Sequence, residues 1–236
     1  MPAAHARGSD PSAGATSYLA QVTLNELLRL APIAFHATQE PNLAGILARK
    51  SLLSPSEAYR LHGVRAPHVL RRSNGGSVRH TVPLTGLPVH LCDHDRLHAG
   101  NIRFDVGWDM FRLIELLDGL VFFWPGTLAR PSRQGVSHWA RYAKEGKRLA
   151  VLRVPMADLV AVCGTPRLSS CNSGAPRQHP KSGARPRGAE TFRPLAAFSP
   201  SVEEIVEVVF DREVALPRST ERAESYAGPW VPLFNP

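Results

Sequence analysis

The chain has 236 residues, with 28 Lys or Arg against 20 Asp or Glu, which gives a formal net charge of +8. This length can bury a sizeable core in one large domain, and the basic balance favours a polyanion as partner, although an arginine-rich composition alone gives the same charge. Three cysteines without a close pair argue against a disulfide framework and a cysteine-based zinc site, and they indicate a reducing cytoplasm.

The first third of the chain is expected to hold two helices around one strand. Residues 1–16 are rich in Ala, Gly, Ser and Pro and are predicted to be a disordered leader without the apolar stretch of a secretory signal. Apolar spacing predicts a helix over 23–30 with Thr23 as its N-cap, a strand over 33–37 and a helix over 42–50. The stretch 54–79 is polar and basic, and residues 82–91 are expected to hold one short strand.

The remainder alternates short strands with short helices. Helices are predicted over 109–117 and 137–146, a short helix or turn over 157–162 and one helical turn over 201–205; strands are predicted over 121–124, 149–154, 168–172, 191–195 and 206–210. Residues 173–188 are predicted to be a basic loop and the proline-rich residues 216–236 a tail, which leaves 17–215 as a single domain. Because the βαβ alternation is irregular, the sequence predicts a mixed α+β fold.

Several classes of protein are disfavoured by missing motifs. The chain has neither a GxGxxG after the first strand nor a P-loop, so a Rossmann or P-loop nucleotide site is not expected. No apolar run approaches the roughly 20 residues that a membrane-spanning helix needs. A histidine, cysteine and aspartate cluster lies between Pro88 and Gly100, and because these two residues make a stable helix doubtful, we predict no metal site.

Two side chains at the end of the first predicted strand are candidates for binding a ribose. The imidazole of His36 can hydrogen-bond a hydroxyl, and Thr38 can assist it; a histidine satisfied by backbone groups at a strand edge is the alternative. Further along, Phe123 and Trp124 offer flat surfaces on which a nicotinamide ring could stack, although aromatic residues in an apolar strand are more often core.

A carboxylate and two groups of arginines could handle the charged parts of a substrate. Glu190 precedes a predicted strand, where it could stabilise an oxocarbenium-like state, or it is a solvated charge. A pyrophosphate needs a fork of donors, which any of several arginines between the first predicted helix and the aromatic strand could provide, although a solvated basic face is the alternative: Arg60, Arg65, Arg71, Arg72 and Arg79. The loop before Glu190 could hold an anionic acceptor or be a disordered surface loop, and its polar residues include Asn172, Arg177, Lys181, Arg185 and Arg187.

Together these segments resemble the ADP-ribosyltransferase superfamily, nearest to the DarT-type DNA ADP-ribosyltransferases of toxin–antitoxin modules. The matching segments are His36-Ala37-Thr38, Asn42 to Leu47, Ser51 to Ser54, Val121 to Trp124 and Ala189-Glu190. The chain is also similar to a related family of uncharacterised bacterial proteins, which share the Val-Phe-Phe-Trp strand, the Asn-Ser-Gly-Ala turn and the Arg-Gly-x-x-Thr-Phe segment. It departs from the DarT pattern at Ser51, where glycine is usual, and at Phe123 or Trp124, where a tyrosine is expected.

The resemblance implies a split mixed β-sheet with short helices and NAD as co-substrate. The implied activity is mono-ADP-ribosyl transfer to a base of DNA or RNA, by a cytoplasmic toxin or anti-phage effector with a reversing antitoxin as partner. A non-catalytic nucleotide- or nucleic-acid-binding module and an NAD glycohydrolase are the alternatives. The resemblance implies that Glu190 is the catalytic residue and that Arg72 contacts the pyrophosphate, with Arg71 as the second choice. It implies NAD binding by His36, Thr38, Asn42, Phe123 and Trp124. It implies acceptor binding by Asn172, Arg177, Arg185 and Arg187.

Overall fold

The computed structural model describes residues 22–63, 80–83, 87–91, 97–172 and 183–234, apart from the side chains of His80 and Arg185. The described part contains six α-helices: Leu24–Leu30 (α1), Asn42–Arg49 (α2), Pro55–Leu61 (α3), Met110–Asp118 (α4), Arg133–Lys144 (α5) and Met156–Cys163 (α6). It also contains single 3-10 turns at Ala99–Asn101, Ala189–Thr191, Leu195–Ala197 and Val202–Glu204. None of these helices is long and apolar enough to cross a bilayer.

The strands of the described residues are short. They are Ile33–Gln39 (β1), Ser51–Leu53 (β2), His80–Val82 (β3), Val89–Leu91 (β4), Ile102–Phe104 (β5), Leu120–Gly126 (β6), Leu149–Pro155 (β7), Arg167–Ser169 (β8), Arg185–Arg187 (β9), Arg193–Pro194 (β10), Glu207–Asp211 (β11), Glu213–Ala215 (β12), Glu221–Ala223 (β13) and Val231–Pro232 (β14). Eight of them form one antiparallel sheet in the order β10-β8-β11-β6-β1-β7-β13-β14. The α+β prediction is therefore confirmed for the described residues, while its assignment to the ADP-ribosyltransferase type stays a prediction.

Apolar side chains cover both faces of this sheet, so adjacent residues of one strand enter different clusters. Val208 of β11 packs with α1, α2 and α6, whereas Val209 packs with α4. The first cluster also holds Phe123, and the second is joined by Phe122. This alternation is the period of two that an extended strand imposes. Because of this alternation, a ligand on one face of the sheet can contact Phe123 or Phe122 of β6 but not both.

Side-chain N-caps mark the starts of three of the six described helices, α1, α3 and α4. Thr23 caps α1 as predicted, with its Oγ1 accepting from the Glu26 N–H at 3.2 Å and the Glu26 carboxylate accepting from the Thr23 N–H at 2.8 Å. Helix α5 begins at Arg133, four residues before the predicted start. The prediction began too late because Gly135, in the first turn, weakens the helical pattern of the sequence. That glycine is required by packing, since a Cβ there would lie 2.9 Å from Cγ of Trp124.

The structure also departs from the sequence predictions in several segments. Helix α3 was not predicted, and the predicted strand over 168–172 ends at Ser169. The strand expected over 191–195 is reduced to Arg193–Pro194, because residues 189–191 and 195–197 turn instead. The predicted leader and the first ten residues of the predicted basic loop, 173–182, lie outside the described residues.

The residues after Leu216 extend the sheet, where composition predicts a tail. Strand β13 pairs with β7, and β14 pairs with β13. Tyr226 and Leu233 are buried, at 9% and 4% exposure. Short edge strands tolerate proline because one side of the strand needs no ladder hydrogen bonds, so a proline-rich composition does not exclude a strand there.

Candidate functional site

The central sheet opens between β1 and β6. Strand β1 pairs with β7 along its whole length but with β6 only over Ile33–Phe35. Strand β6 pairs with β1 from Trp124 onward and with β11 from Leu120 to Phe123, so it changes partner between two adjacent residues. The two strands therefore separate at His36, the first residue of β1 that has no partner in β6. His36 lies inside a seven-residue strand, which corrects the expectation that it ends one.

His36 bridges this opening. Its Nδ1 lies 2.8 Å from the backbone oxygen of Phe122. Because a carbonyl oxygen only accepts, Nδ1 carries the proton and donates, which makes Nε2 the acceptor nitrogen of the neutral ring. The ring is half-buried, and its centroid lies 5.6 Å from that of Phe123. A half-buried imidazole held in one orientation suits a sugar hydroxyl, whereas the Phe123 ring is fully buried and presents no surface to a ligand.

Phe123 and Trp124 lie on opposite faces of the sheet. Trp124 is directly opposite Phe35 in the β1–β6 register, so it shares a face with Phe35 and not with His36. Its ring instead packs against His138 of α5, with centroids 4.6 Å apart. The expectation that Phe123 and Trp124 together flank one ring is therefore wrong for this geometry, because successive residues of a strand point to opposite sides. Phe123 is the one beside His36.

Thr38 and Asn42 are bonded to each other and to β4. The Asn42 Nδ2 donates to Thr38 Oγ1 and to the backbone oxygen of His90, both at 2.9 Å, and its Oδ1 accepts from the His90 N–H at 2.7 Å. Both side chains are buried, at 6% and 7% exposure. The amide thus acts as a strand partner that fastens β4 to the start of α2. A cofactor contact from either residue would have to share these bonds.

The segment that carries Glu190 packs on β6, the strand whose Phe122 oxygen contacts His36 of β1. Glu190 lies in the 3-10 turn after β9, with its side chain 68% exposed and an Oε2 2.8 Å from Nε of Arg193. Two residues later, the Phe192 ring packs against Phe122 at 5.9 Å and 70°. Phe122 therefore contacts His36 through its backbone and the Glu190 segment through its ring.

Arg187, three residues before Glu190, is hydrogen-bonded to the backbone of Asn172. Arg187 belongs to β9, which pairs in parallel with β5, and its Nη2 donates to the backbone oxygen of Asn172 at 2.6 Å. Arg187 is only 3% exposed, whereas Asn172 is exposed. Placing Arg187 in one exposed basic loop was therefore wrong, because its side chain turns inward from a paired strand.

A family model described as a family of unknown function, DUF7002, matches residues 32–220. The chain belongs to the DUF7002 family. The DUF7002 match begins one residue before β1 and includes His36, Phe122, Arg187 and Glu190. No curated protein matches the chain, and no solved structure matches it.

Part of the predicted site of this DUF7002 chain lies outside the described residues. These positions are Arg71, Arg72, Arg177 and the side chain of Arg185. Sequence reasoning missed Phe122 and Phe192 as contact residues. The Thr191-Phe192 motif was a signal for the second, but a backbone carbonyl such as that of Phe122 leaves no trace in sequence.

A separate surface cavity of about 450 Å³ lies between α6 and strands β8, β11 and β12. Cys163 lines it, and burial raises the pKa of its thiol, so little of it is the reactive thiolate at neutral pH. Arg167, also in the lining, is ion-paired with Asp211. The cavity shares no residue with the opening between β1 and β6.

Proposed function

We propose that this DUF7002 chain is an NAD-dependent mono-ADP-ribosyltransferase whose NAD site is the opening between β1 and β6. The observation that carries the proposal is the double contact of Phe122. Its carbonyl oxygen accepts from His36, and its ring packs against Phe192, two residues after Glu190. The two motifs on which the family resemblance rests, far apart in sequence, are thus linked through one residue of β6, whose ring lies on the sheet face opposite His36 and Phe123.

The roles follow from the chemistry of the groups. His36, oriented by the bond from its Nδ1 to the Phe122 oxygen, contacts a ribose hydroxyl, and the fully buried Phe123 supports the imidazole ring from the core. The bond between C1′ of the ribose and the nicotinamide nitrogen breaks, and its electron pair leaves with nicotinamide. Glu190 stabilises the resulting oxocarbenium charge and takes the proton of the acceptor as that group attacks C1′.

The acceptor in this proposal is a base of DNA or RNA. The net charge of +8 favours association with a polyanion, because cationic side chains release counterions from phosphates. The biological role would be that of a cytoplasmic toxin or anti-phage effector, held in check by an antitoxin that reverses the modification. Release of nicotinamide with water as acceptor is the simplest variant of the same chemistry.

One observation favours a second candidate, a non-catalytic nucleotide-binding module. The Glu190 carboxylate is exposed and ion-paired with Arg193, whereas catalytic carboxylates are usually tuned by burial or by a neighbouring charge. Exposed ion pairs of this kind contribute little to the free energy of unfolding, because water screens the two charges. The same opening could then bind a nucleotide without breaking it.

The decisive experiment compares Glu190→Gln with the wild type, using NAD labelled in its adenylate part and DNA, RNA, protein or no acceptor. We expect Glu190→Gln to lower transfer by about 100- to 1000-fold, because a group that stabilises developing charge acts mainly in the transition state. NAD affinity, measured by calorimetry, should change little. Glu224→Gln is the matched control, since Glu224 is also an exposed glutamate that follows a short strand within a few residues.

The outcomes separate the candidates. Nicotinamide release without a labelled acceptor indicates a glycohydrolase. Tight NAD binding without release supports the non-catalytic module and contradicts the transferase. A wild-type chain that does not bind NAD contradicts all three, and equal effects of Glu190→Gln and Glu224→Gln would remove Glu190 from the mechanism.

A further inference from the structure

Exposed apolar side chains from separate segments lie together on one face of the sheet. Leu128, in the loop between β6 and α5, is 67% exposed, and Val136 of α5 and Val231 of β14 are 39% and 43% exposed. The Arg153 guanidinium joins two of these segments. Its Nη1 donates to the backbone oxygen of Leu128 at 3.3 Å, and its central carbon lies 4.4 Å from the centroid of the Trp230 ring.

Helix α5 adds a second half-buried tryptophan to this face. Trp139 packs against Tyr226 with ring centroids 6.2 Å apart, and Tyr226 packs against Phe35 at 5.6 Å. Phe35 in turn lies 6.0 Å from Trp230, so both tryptophans surround one buried aromatic core. Val136 precedes Trp139 by three residues, which puts the two side chains on one side of α5. We call the following side chains the apolar patch: Leu128, Val136, Trp139, Trp230 and Val231.

The loop that presents Leu128 is a tight turn. The Thr127 N–H donates to the Arg130 backbone oxygen at 3.0 Å, and Gly126 pairs with Pro131 on either side of the turn. Because these bonds close the turn, Leu128 is held away from the core. Contiguous exposed apolar groups mark interaction sites, and burial of a leucine is favourable, so the patch gains free energy from contact with an apolar medium.

Arginines surround the apolar patch. Arg130 ends the tight turn and Arg133 begins α5; both are exposed, and neither side chain makes an ion pair or hydrogen bond with the described residues. Arg153 is ion-paired with Glu221, so its charge is balanced locally. Two uncompensated positive charges therefore border the patch. They complement a surface that is anionic outside and apolar within.

We propose that the apolar patch attaches the chain to a membrane surface that contains anionic lipids. The aliphatic side chains enter the boundary between headgroups and acyl chains, the tryptophans lie at headgroup level, and the arginines contact lipid phosphates. Attachment to one leaflet needs no spanning helix, and it does not depend on the proposed activity. The tight turn follows Gly126, which pairs with Ile33, whereas the opening begins at His36 and continues toward Gln39. An attached chain therefore keeps the opening accessible.

Two other partners fit the apolar patch less well. A second copy related by a twofold axis would bring Arg130 and Arg133 of both chains toward each other, and like charges disfavour that contact. A stable protein interface uses about 20–30 residues a side with matched shape, whereas a bilayer accepts projecting side chains without a matched surface. The observations therefore favour a lipid surface.

The first test measures co-sedimentation of the full chain with vesicles of phosphatidylcholine, alone or mixed in equal parts with phosphatidylglycerol. We expect binding to the mixed vesicles that falls as salt is added, and weaker binding to phosphatidylcholine alone. Leu128→Gln should lower the partition coefficient about 10-fold, because glutamine lacks the gain from burying a leucine. The matched control is Leu61→Gln, which should not change it, since Leu61 is also exposed but lies on α3.

The arginines are tested with two charge-matched double variants. Arg130→Gln with Arg133→Gln should lower the partition coefficient about 10- to 50-fold, because each cation at an anionic membrane contributes about a factor of five. Arg103→Gln with Arg218→Gln removes the same charge from exposed positions outside the patch and should lower it far less. Lipids brominated in their acyl chains should quench tryptophan fluorescence, and Trp230→Phe should remove part of that quenching.

Several results would overturn the proposal. One is absence of binding to the mixed vesicles; another is an equal loss in Leu128→Gln and Leu61→Gln, or in the two arginine double variants, because binding would then follow overall composition. A lipid-free dimer that Leu128→Gln dissociates and vesicles do not would place a second copy on the patch instead. Binding of poly-L-glutamate but not of vesicles, through the same residues, would indicate an acidic protein partner.

Discussion

At the scale of single residues, the hydrogen bond between His36 and the Phe122 carbonyl links fold and chemistry. Sequence reasoning set a ribose-binding histidine against a histidine satisfied by backbone. The structure assigns one nitrogen to the backbone, and an imidazole has two. The two interpretations are therefore compatible, since the backbone contact orients the ring and determines which nitrogen accepts.

Two substitutions of His36 separate its structural contribution from its role as an acceptor. His36→Ala removes the donor to Phe122 and should lower the free energy of unfolding by about 1 kcal/mol, the usual net value of one hydrogen bond. His36→Asn keeps an N–H donor near the place of Nδ1 and should recover part of this loss. NAD affinity, followed by calorimetry, should fall in both variants because both lack Nε2. Normal NAD binding by His36→Asn would remove Nε2 from the proposed site.

At the scale of elements, α3 shows how capping sets a boundary that composition hides. The stretch 54–79 is polar and basic as a whole, so no helix was predicted there. Its first residues nevertheless carry start signals: Ser54 is the N-cap, Pro55 stands at the first helical position, and Ser54 Oγ accepts from the Glu57 N–H at 3.2 Å. Ser54 is fully buried, so water has little access to replace its hydroxyl as the acceptor for the Glu57 N–H.

Ser54→Ala should therefore lower the free energy of unfolding by about 1 kcal/mol, within the 0.5–2 kcal/mol usual for losing an N-cap. Urea denaturation followed by circular dichroism measures this change. Ser56→Ala is the matched control, because Ser56 lies in the first turn of α3 but does not cap it. Equal effects of both substitutions would show that the Ser54 hydroxyl does not act as a cap.

At the scale of the whole molecule, the last described residues complete one face of the sheet. The Tyr226 ring packs edge-on against Phe35 of β1 at 5.6 Å and against Trp139 of α5 at 6.2 Å. Burial raises the pKa of the Tyr226 phenol well above its usual value. The segment between β13 and β14 thus covers the β1 face opposite His36, which ties residues after 216 to the stability of the site.

Tyr226 should make stability fall at alkaline pH. Its folded pKa is raised, so its contribution is fully present below the unfolded pKa of about 10 and is lost as pH rises toward the folded pKa. Tyr226→Phe keeps the ring and lacks the ionisation, so its Tm should fall less steeply above pH 10. Tyr226→Ala should instead lose about 3–5 kcal/mol at neutral pH through the cavity it leaves. Identical alkaline profiles for wild type and Tyr226→Phe would contradict the assignment.

The sequence by itself determined many of the local elements and the fold class. The Thr23 cap, the starts of β1 and α2, and the apolar strands β6 and β7 follow from caps and apolar periodicity, which act over a few neighbouring residues. The α+β class follows from their irregular alternation. It also indicated His36 and Glu190 as chemically interesting, because their residue types and local settings are visible in the chain.

Only the tertiary structure decided how these parts meet. The partner change of β6, the contact of Phe122 with both motifs and the burial of Arg187 join residues far apart in the chain, 86 positions in the case of His36 and Phe122. Local patterns show that a strand is apolar but not which neighbour it pairs with, because pairing is chosen by the packing of the whole sheet. For the same reason, sequence patterns did not show that Trp124 lies on the face opposite His36 or that the proline-rich residues after 216 belong to the sheet.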